Sequence, residues 1–377
     1  MFIDENSYQS PARQLVRSLR IDVPLLIGLA SLVALGGVVL YSAGGEDMTR
    51  VLRQGMRLLM ALGVMLVVAQ ISSRKLQALS PWVYFAGVLL LVLVLTVGET
   101  GKGAQRWLDL GVLTFQPSEM MKLATPMMVA WYFADRPLPP SFGQVLVAGF
   151  LVLVPMGLIV KQPDLGTALL VGSAGFIAIF MAGMSWRLIF GVGLLGVIGA
   201  ASVWFEWPFQ FLHDYQRNRI ETFLNPENDP LGAGYHIIQS KIAIGSGGLY
   251  GKGWLNGTQS QLEFLPERHT DFIFAVFGEE FGLLGGLTLL ALYTAIILRG
   301  LYIALNAQDT YARLLGASLA LTFFVYMFVN MGMVMGLLPV VGVPLPLVSY
   351  GGTSMVTLMA AFGMLMSINS HRRLLSQ

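Results

Sequence analysis

Residues 271–298 read DFIFAVFGEEFGLLGGLTLLALYTAIIL. An aspartate opens the run, Glu279 and Glu280 follow, and Phe281 to Leu298 carry no charge. Rising ~1.5 Å per residue, a helix of this length crosses the roughly 30 Å hydrocarbon core of a bilayer. A carboxylate inside that core costs on the order of 3 kcal/mol or more, so these acids must face a bundle interior or a wet cavity. The stretch is the eighth of ten apolar segments, at 22–42, 51–71, 81–98, 116–134, 142–160, 165–184, 187–205, 271–298, 312–337 and 349–369. Turn residues separate them, as in Asp135-Arg136-Pro137, Gln162-Pro163-Asp164 and Pro344-Leu345-Pro346. The expected fold is an all-α polytopic membrane protein: ten transmembrane helices in a single transmembrane domain, with one large loop between helices 7 and 8.

The composition agrees. Of 377 residues, 55% are hydrophobic and 12% charged, about half the charge of a soluble domain. The absence of cysteine excludes disulfides, thiolate metal sites and cysteine nucleophiles. Arg13, Arg17 and Arg20 precede a run from Ile21 that is too long for a cleavable signal, so it reads as a permanent span. Ten spans put both termini on one side. With tails 1–21 and 370–377 cytoplasmic, eleven Lys/Arg fall inside. Five of the twelve outside belong to segment 206–270, and long loops translocate regardless of charge. Eleven against seven supports cytoplasmic termini. Sixteen acidic residues then lie outside, which makes the outer face the place to look for function.

Segment 206–270 is too long, and too rich in glycine and aromatics, to be a tether. Within it GYHIIQSKIAIGSGG alternates Ile237, Ile238, Ile242 and Ile244 with polar residues. It reads as a short amphipathic element on the membrane surface and, compatibly with that, as a packing helix capping the bundle.

Two places hold candidate chemistry. In QPSEMMK (116–122), Glu119 and Lys122 are three apart and share a helix face. They form either an internal salt bridge or a functional pair. Upstream, Arg106 next to Trp107 could hold a phosphate bidentately. In PERHTD (266–271), Asp271 stands at the entry to the eighth span, as a helix N-cap or as a half-buried general base. Other signals are weaker. SGGLYGKG (246–253) fails the phosphate-loop pattern, because Ser246 replaces the first glycine and Gly253 follows the lysine. The four histidines lack metal-ligand spacing. Residue-level reading thus reaches a ten-span protein with a charged outer cavity and no substrate.

Five motifs in order carry a resemblance that covers essentially the whole chain. They are GAQRW (103–107) with QPSEMMK (116–122), KQPDLGT (161–167), the stretch 214–253, FLPERHTDFIFAVFGEEFG (264–282) and GLLPVVGVPLPLVSYGG (336–352). The chain resembles the SEDS family (shape, elongation, division and sporulation). It is more similar to the branch serving cell elongation and rod shape than to the division branch. The resemblance implies a peptidoglycan glycosyltransferase at the outer face of the inner membrane. It would polymerise lipid II, the undecaprenyl-pyrophosphate-linked disaccharide-pentapeptide, into β-1,4 glycan with inversion. The family acid falls on Asp271, the implied general base. Arg106, Lys122, Lys161, Arg217, Arg219 and Arg268 are the implied cations for the leaving pyrophosphate. Glu119 would position Lys122 or bind substrate, and Asp164 is a second acid of more structural character. No cofactor is firmly implied, though a divalent cation (Mg or Mn) fits a pyrophosphate. The implied partners are a class B penicillin-binding protein and other elongation-complex membrane proteins, with no nucleic acid. The rival readings are a lipid II flippase and a non-catalytic scaffold for a transpeptidase.

Overall fold

An apolar chain in lipid finds no water for its backbone groups, so each segment must close its hydrogen bonds internally, as a helix does. The computed structural model describes residues 19–101, 104–109, 114–186, 188, 190, 191, 193, 194, 214–229, 232–262, 264, 265 and 267–370. Nine long helices stand at nine of the ten predicted segments: α1 (Val23–Ala43), α2 (Met48–Ala69), α3 (Ser73–Val97), α4 (Pro117–Ala134), α5 (Phe142–Lys161), α6 (Leu165–Met181), α10 (Ile273–Leu305), α11 (Thr310–Val334) and α12 (Thr353–Ser370). Seven of them are long and apolar enough to cross a membrane; α4 and the shorter α6 complete the set. The seventh predicted segment, 187–205, lies largely outside the described residues, as do most of both tails. Leu59 on α2, Leu89 on α3 and Phe150 on α5 are exposed, as lipid-facing side chains should be. α4 and α11 are buried along most of their length and form the centre.

Between α3 and α4 the chain makes a small antiparallel sheet, β1 (Glu99–Gly101), β2 (Ala104–Asp109) and β3 (Thr114–Phe115), in the order β1-β2-β3. The sheet is a small addition to the expected all-α membrane fold, and strands this short give no readable alternation. α3 also starts eight residues before the predicted boundary at Pro81. The polar residues Ser73-Arg74-Lys75 read as loop, yet they form its first turn.

One end of the bundle is tied by Asp22. Its carboxylate caps Leu25 N at 3.0 Å, receives Arg299 Nε and Nη2 at 3.0 and 2.7 Å, and receives Asn369 Nδ2 at 2.9 Å. The start of α1 and the ends of α10 and α12 therefore meet at one end, and Asp271 stands at the other end of α10.

α10 is broken at Gly282, whose backbone (φ 62°, ψ −161°) leaves the helical region. The break frees backbone groups that the interior must satisfy. Residues 248–253 do so. Lys252 N and Gly253 N donate to the Glu279 and Glu280 carbonyls, both at 3.0 Å. Leu283 N and Leu284 N donate to the Gly248 and Leu249 carbonyls at 2.9 and 3.1 Å. A Cβ on Gly251 (φ 80°) would overlap the Glu280 carbonyl. The glycines of SGGLYGKG thus let one backbone enter another helix's gap. Gly251→Val is expected to cost on the order of 3 kcal/mol or more, read as a lower thermal unfolding midpoint in detergent. Gly245→Ala, with open space around it, should leave the midpoint unchanged. Equal midpoints for the two variants would contradict this role.

The predicted surface element is α8 (Ala233–Ser246). It buries Ile237, Ser240 and Ala243 against α10 and α11, a helical spacing rather than the alternation read from sequence. Ser240 Oγ donates to the Val334 carbonyl at 2.8 Å. α8 is therefore the packing helix, with Ile242 left exposed. Burial against Phe272, whose ring lies 5.5 Å away, holds the His236 imidazole below its usual pKa.

Candidate active site

Asp271 lies in a turn just before α10, half-buried. It is not the helix N-cap: that position is Phe272, and no side chain caps this end. The turn is clamped from two sides. Asn330 of α11, fully buried, donates from Nδ2 to the Asp271 carbonyl at 2.8 Å and to the Val343 carbonyl at 2.7 Å. Ser349 Oγ donates to the Thr270 carbonyl at 2.6 Å and accepts from Leu345 N at 2.8 Å. Tyr350 N donates to the His269 carbonyl at 2.9 Å. The loop 336–352 is itself held by Tyr293 Oη on the Pro346 carbonyl at 2.6 Å and by Gln54 Nε2 on the Ser349 carbonyl at 3.2 Å. At Gly342 (φ 74°) this loop passes so close that a Cβ there would sit 3.5 Å from Asp271 Oδ2. A carboxylate on a turn fixed this way is pre-oriented, which is what proton abstraction from a bound hydroxyl requires.

Glu119 and Lys122 pair as their spacing predicted, at 2.5 Å, both buried in the centre of the bundle. Lys122 Nζ also lies 5.1 Å from the Tyr326 ring centroid. Tyr326 is four residues before Asn330, so the pair and the Asp271 clamp share one face of α11. Glu279 and Glu280 point inward, as expected. Glu279 Oε1 accepts from Lys252 Nζ at 2.7 Å and, on the short helix α9 (Thr258–Gln261), from Thr258 Oγ1 at 3.1 Å and Gln259 N at 3.0 Å, and Glu280 accepts from Ser42 Oγ.

Arg106 is placed differently from the expectation. Its guanidinium donates to the Gln162 carbonyl at 3.3 Å and to the Pro163 carbonyl, with Asp164 Oδ2 3.8 Å away. Through Nε and Nη2 it ties the sheet to the α5–α6 hairpin. Asp164 caps α6 through Thr167 N at 3.2 Å and accepts from Gln116 Nε2 at 3.2 Å. The same end of α6 abuts the clamp loop, because a Cβ on Gly166 would come 2.7 Å from the Val341 carbonyl. Lys161 is exposed at the end of α5. Arg217 and Arg219 lie on α7 (Asp214–Leu224), where Arg217 pairs with Glu221 at 2.7 Å. Arg268 reaches the turn after α1, its Nη2 3.5 Å from the Cβ position of Gly45. Among the described residues no three His, Cys, Asp or Glu gather into a metal site.

Sequence reading missed Asn330, Gln54 and Arg57. Asn330 looks like any polar residue in an apolar run. The α2 residues carried a usable signal: Arg50, Arg53, Gln54 and Arg57 recur at helical spacing.

The profile of the Cell cycle protein family, that of FtsW, RodA and SpoVE, matches residues 18–374. The chain belongs to this family. It is similar to the peptidoglycan glycosyltransferase MrdB of Escherichia coli K12, with 53% identity over 357 residues, covering 95% of each chain. It is also similar to the peptidoglycan glycosyltransferase RodA of Treponema pallidum, with 32% identity over 93% of this chain and 98% of the relative. Among solved structures it superposes on a chain of a peptidoglycan synthase complex that coordinates polymerization and crosslinking. The TM-score is 0.80 at 36% identity, covering 94% of this chain and 98% of the other. The rod shape-determining protein RodA of Thermus thermophilus gives a TM-score of 0.70 at 32% identity, covering 93% and 97%. Like these FtsW/RodA relatives, this family member is a multi-pass helical membrane protein.

Proposed function

We propose that the chain is a peptidoglycan glycosyltransferase that polymerises lipid II at the outer face of the bacterial inner membrane, in cell elongation. The observation that carries the reading is Asp271, on a clamped turn at the mouth of the bundle, in a chain 53% identical to a peptidoglycan glycosyltransferase. Asp271 takes the proton of the acceptor's sugar 4-hydroxyl as that oxygen attacks the anomeric carbon of the growing strand. The α-linked lipid pyrophosphate leaves, and a β-1,4 bond forms with inversion. Arg268, three residues away, and Lys122, below on the same face of the bundle, supply positive potential for the leaving group. The lipid tail stays among the helices while the sugars occupy the outer mouth. Both termini are then cytoplasmic, and 206–270 is the large outer loop of a single transmembrane domain. The partner is a class B penicillin-binding protein, in keeping with the complex from which the solved relative comes.

The test uses the purified chain in vesicles with fluorescent lipid II loaded on one leaflet, the one that the outer mouth of the chain faces. Growth of polymer without equilibration between leaflets is expected. Equilibration without polymer would make the chain a flippase, and neither outcome would leave a scaffold.

A further inference from the structure

Arg57 lies nine residues into α2, ~14 Å along the helix from Met48 at ~1.5 Å per residue. A cation at such depth is costly and ordinarily faces an acidic partner. Among the described residues, none does. Arg57 is half-buried, and its recorded contact is with the face of Tyr350, 4.6 Å from the guanidinium carbon to the ring centroid. That contact leaves its N–H donors uncommitted, in contrast to Arg106, Arg217 and Arg299. Tyr350 is the residue whose backbone N–H latches the His269 carbonyl, two positions before Asp271, and the His269 and Tyr350 rings lie 5.9 Å apart. One helical turn earlier Gln54 bonds Ser349, the other half of that latch. Gly352, just before α12, lies beside the guanidinium: a Cβ there would be in ordinary contact with Nε at 3.6 Å. The first turn of α12 carries no acid, so its positive end adds to the local positive potential.

Resting on the glycosyltransferase reading, we propose that Arg57 is a phosphate-binding residue of the active site. It holds a pyrophosphate oxygen of the lipid-linked sugar substrate, with Tyr350 orienting the guanidinium toward the mouth that Asp271 borders. A stacked guanidinium presents its remaining N–H groups as a planar fork, the geometry suited to a phosphate. An anionic phospholipid headgroup offers the same chemistry, and the experiment separates the two sources.

The probe is farnesyl pyrophosphate, titrated into the purified full chain in neutral detergent. Arg57→Gln should weaken its binding at least about tenfold, the effect of losing one charge-assisted contact. Arg57→Lys, which keeps the charge and the fold, should lose less. In polymerisation assays Arg57→Gln should lower kcat/KM for lipid II by at least a similar factor. These effects should persist in vesicles of phosphatidylcholine alone. Unchanged pyrophosphate binding in Arg57→Gln would overturn the proposal, as would an effect confined to vesicles containing phosphatidylglycerol, which would assign Arg57 to a headgroup. If the wild type forms no polymer while pyrophosphate binding still depends on Arg57, the glycosyltransferase reading fails and the phosphate site stands.

Discussion

Asp271→Asn and Asp271→Ala are expected to lower glycan polymerisation by about 10²–10⁴-fold, the usual contribution of a positioned general base. The asparagine is nearly isosteric and cannot accept the proton. The turn is held through main-chain carbonyls, by Asn330 on residue 271 and by Ser349 on residue 270, so neither substitution removes a clamp. Folding, measured by the thermal midpoint, and binding of lipid II should therefore persist while bond formation stops. Asn330→Ala makes the complementary case. It leaves the carboxylate in place and removes both clamp bonds from the 271 and 343 carbonyls. Loss of rate there, with Asp271 intact, would measure the value of the fixed geometry.

The second large effect is on stability. Lys122→Met is expected to destabilise the protein by roughly 3–5 kcal/mol, because it strands a buried charge on Glu119. Glu119 Oε2 already has no partner among the described residues, so the carboxylate has little else to turn to. The double variant Glu119→Leu with Lys122→Met should recover most of the loss, since no charge is then left unpaired. The check is the thermal midpoint of the two single variants and the double, treated as a double-mutant cycle. Additive losses would mean that the pair is not coupled.

These two sites show what a sequence can and cannot carry. The Glu119–Lys122 contact was legible because residues three apart on a helix must be neighbours, and the helix itself followed from apolar length. Asp271 was legible as an acid at the mouth of a span. Its clamp was not, since Asn330 and Ser349 reach it from 59 and 79 positions away and neither stands out from its surroundings. Arg106 was legible as a cation beside an aromatic, while its bonds to the hairpin carbonyls of 162 and 163, more than fifty positions away, were not. The break at Gly282 was hidden because hydropathy is blind to one glycine's backbone. The loop that fills it was set aside as a failed phosphate motif, although its glycines had a purely steric reason to be there. Apolar length reads out spans well, and it says little about which polar groups meet between them.

The most direct measurement counts undecaprenyl pyrophosphate released against β-1,4 bonds formed, in a single turnover of pre-bound lipid II. It uses the purified chain with its transpeptidase partner blocked by penicillin. One pyrophosphate per bond is expected for the wild type, and neither product for Asp271→Asn with substrate still bound. Bond formation by Asp271→Asn at the wild-type rate would contradict the role of Asp271, and a wild type that forms no bond would contradict the enzyme itself.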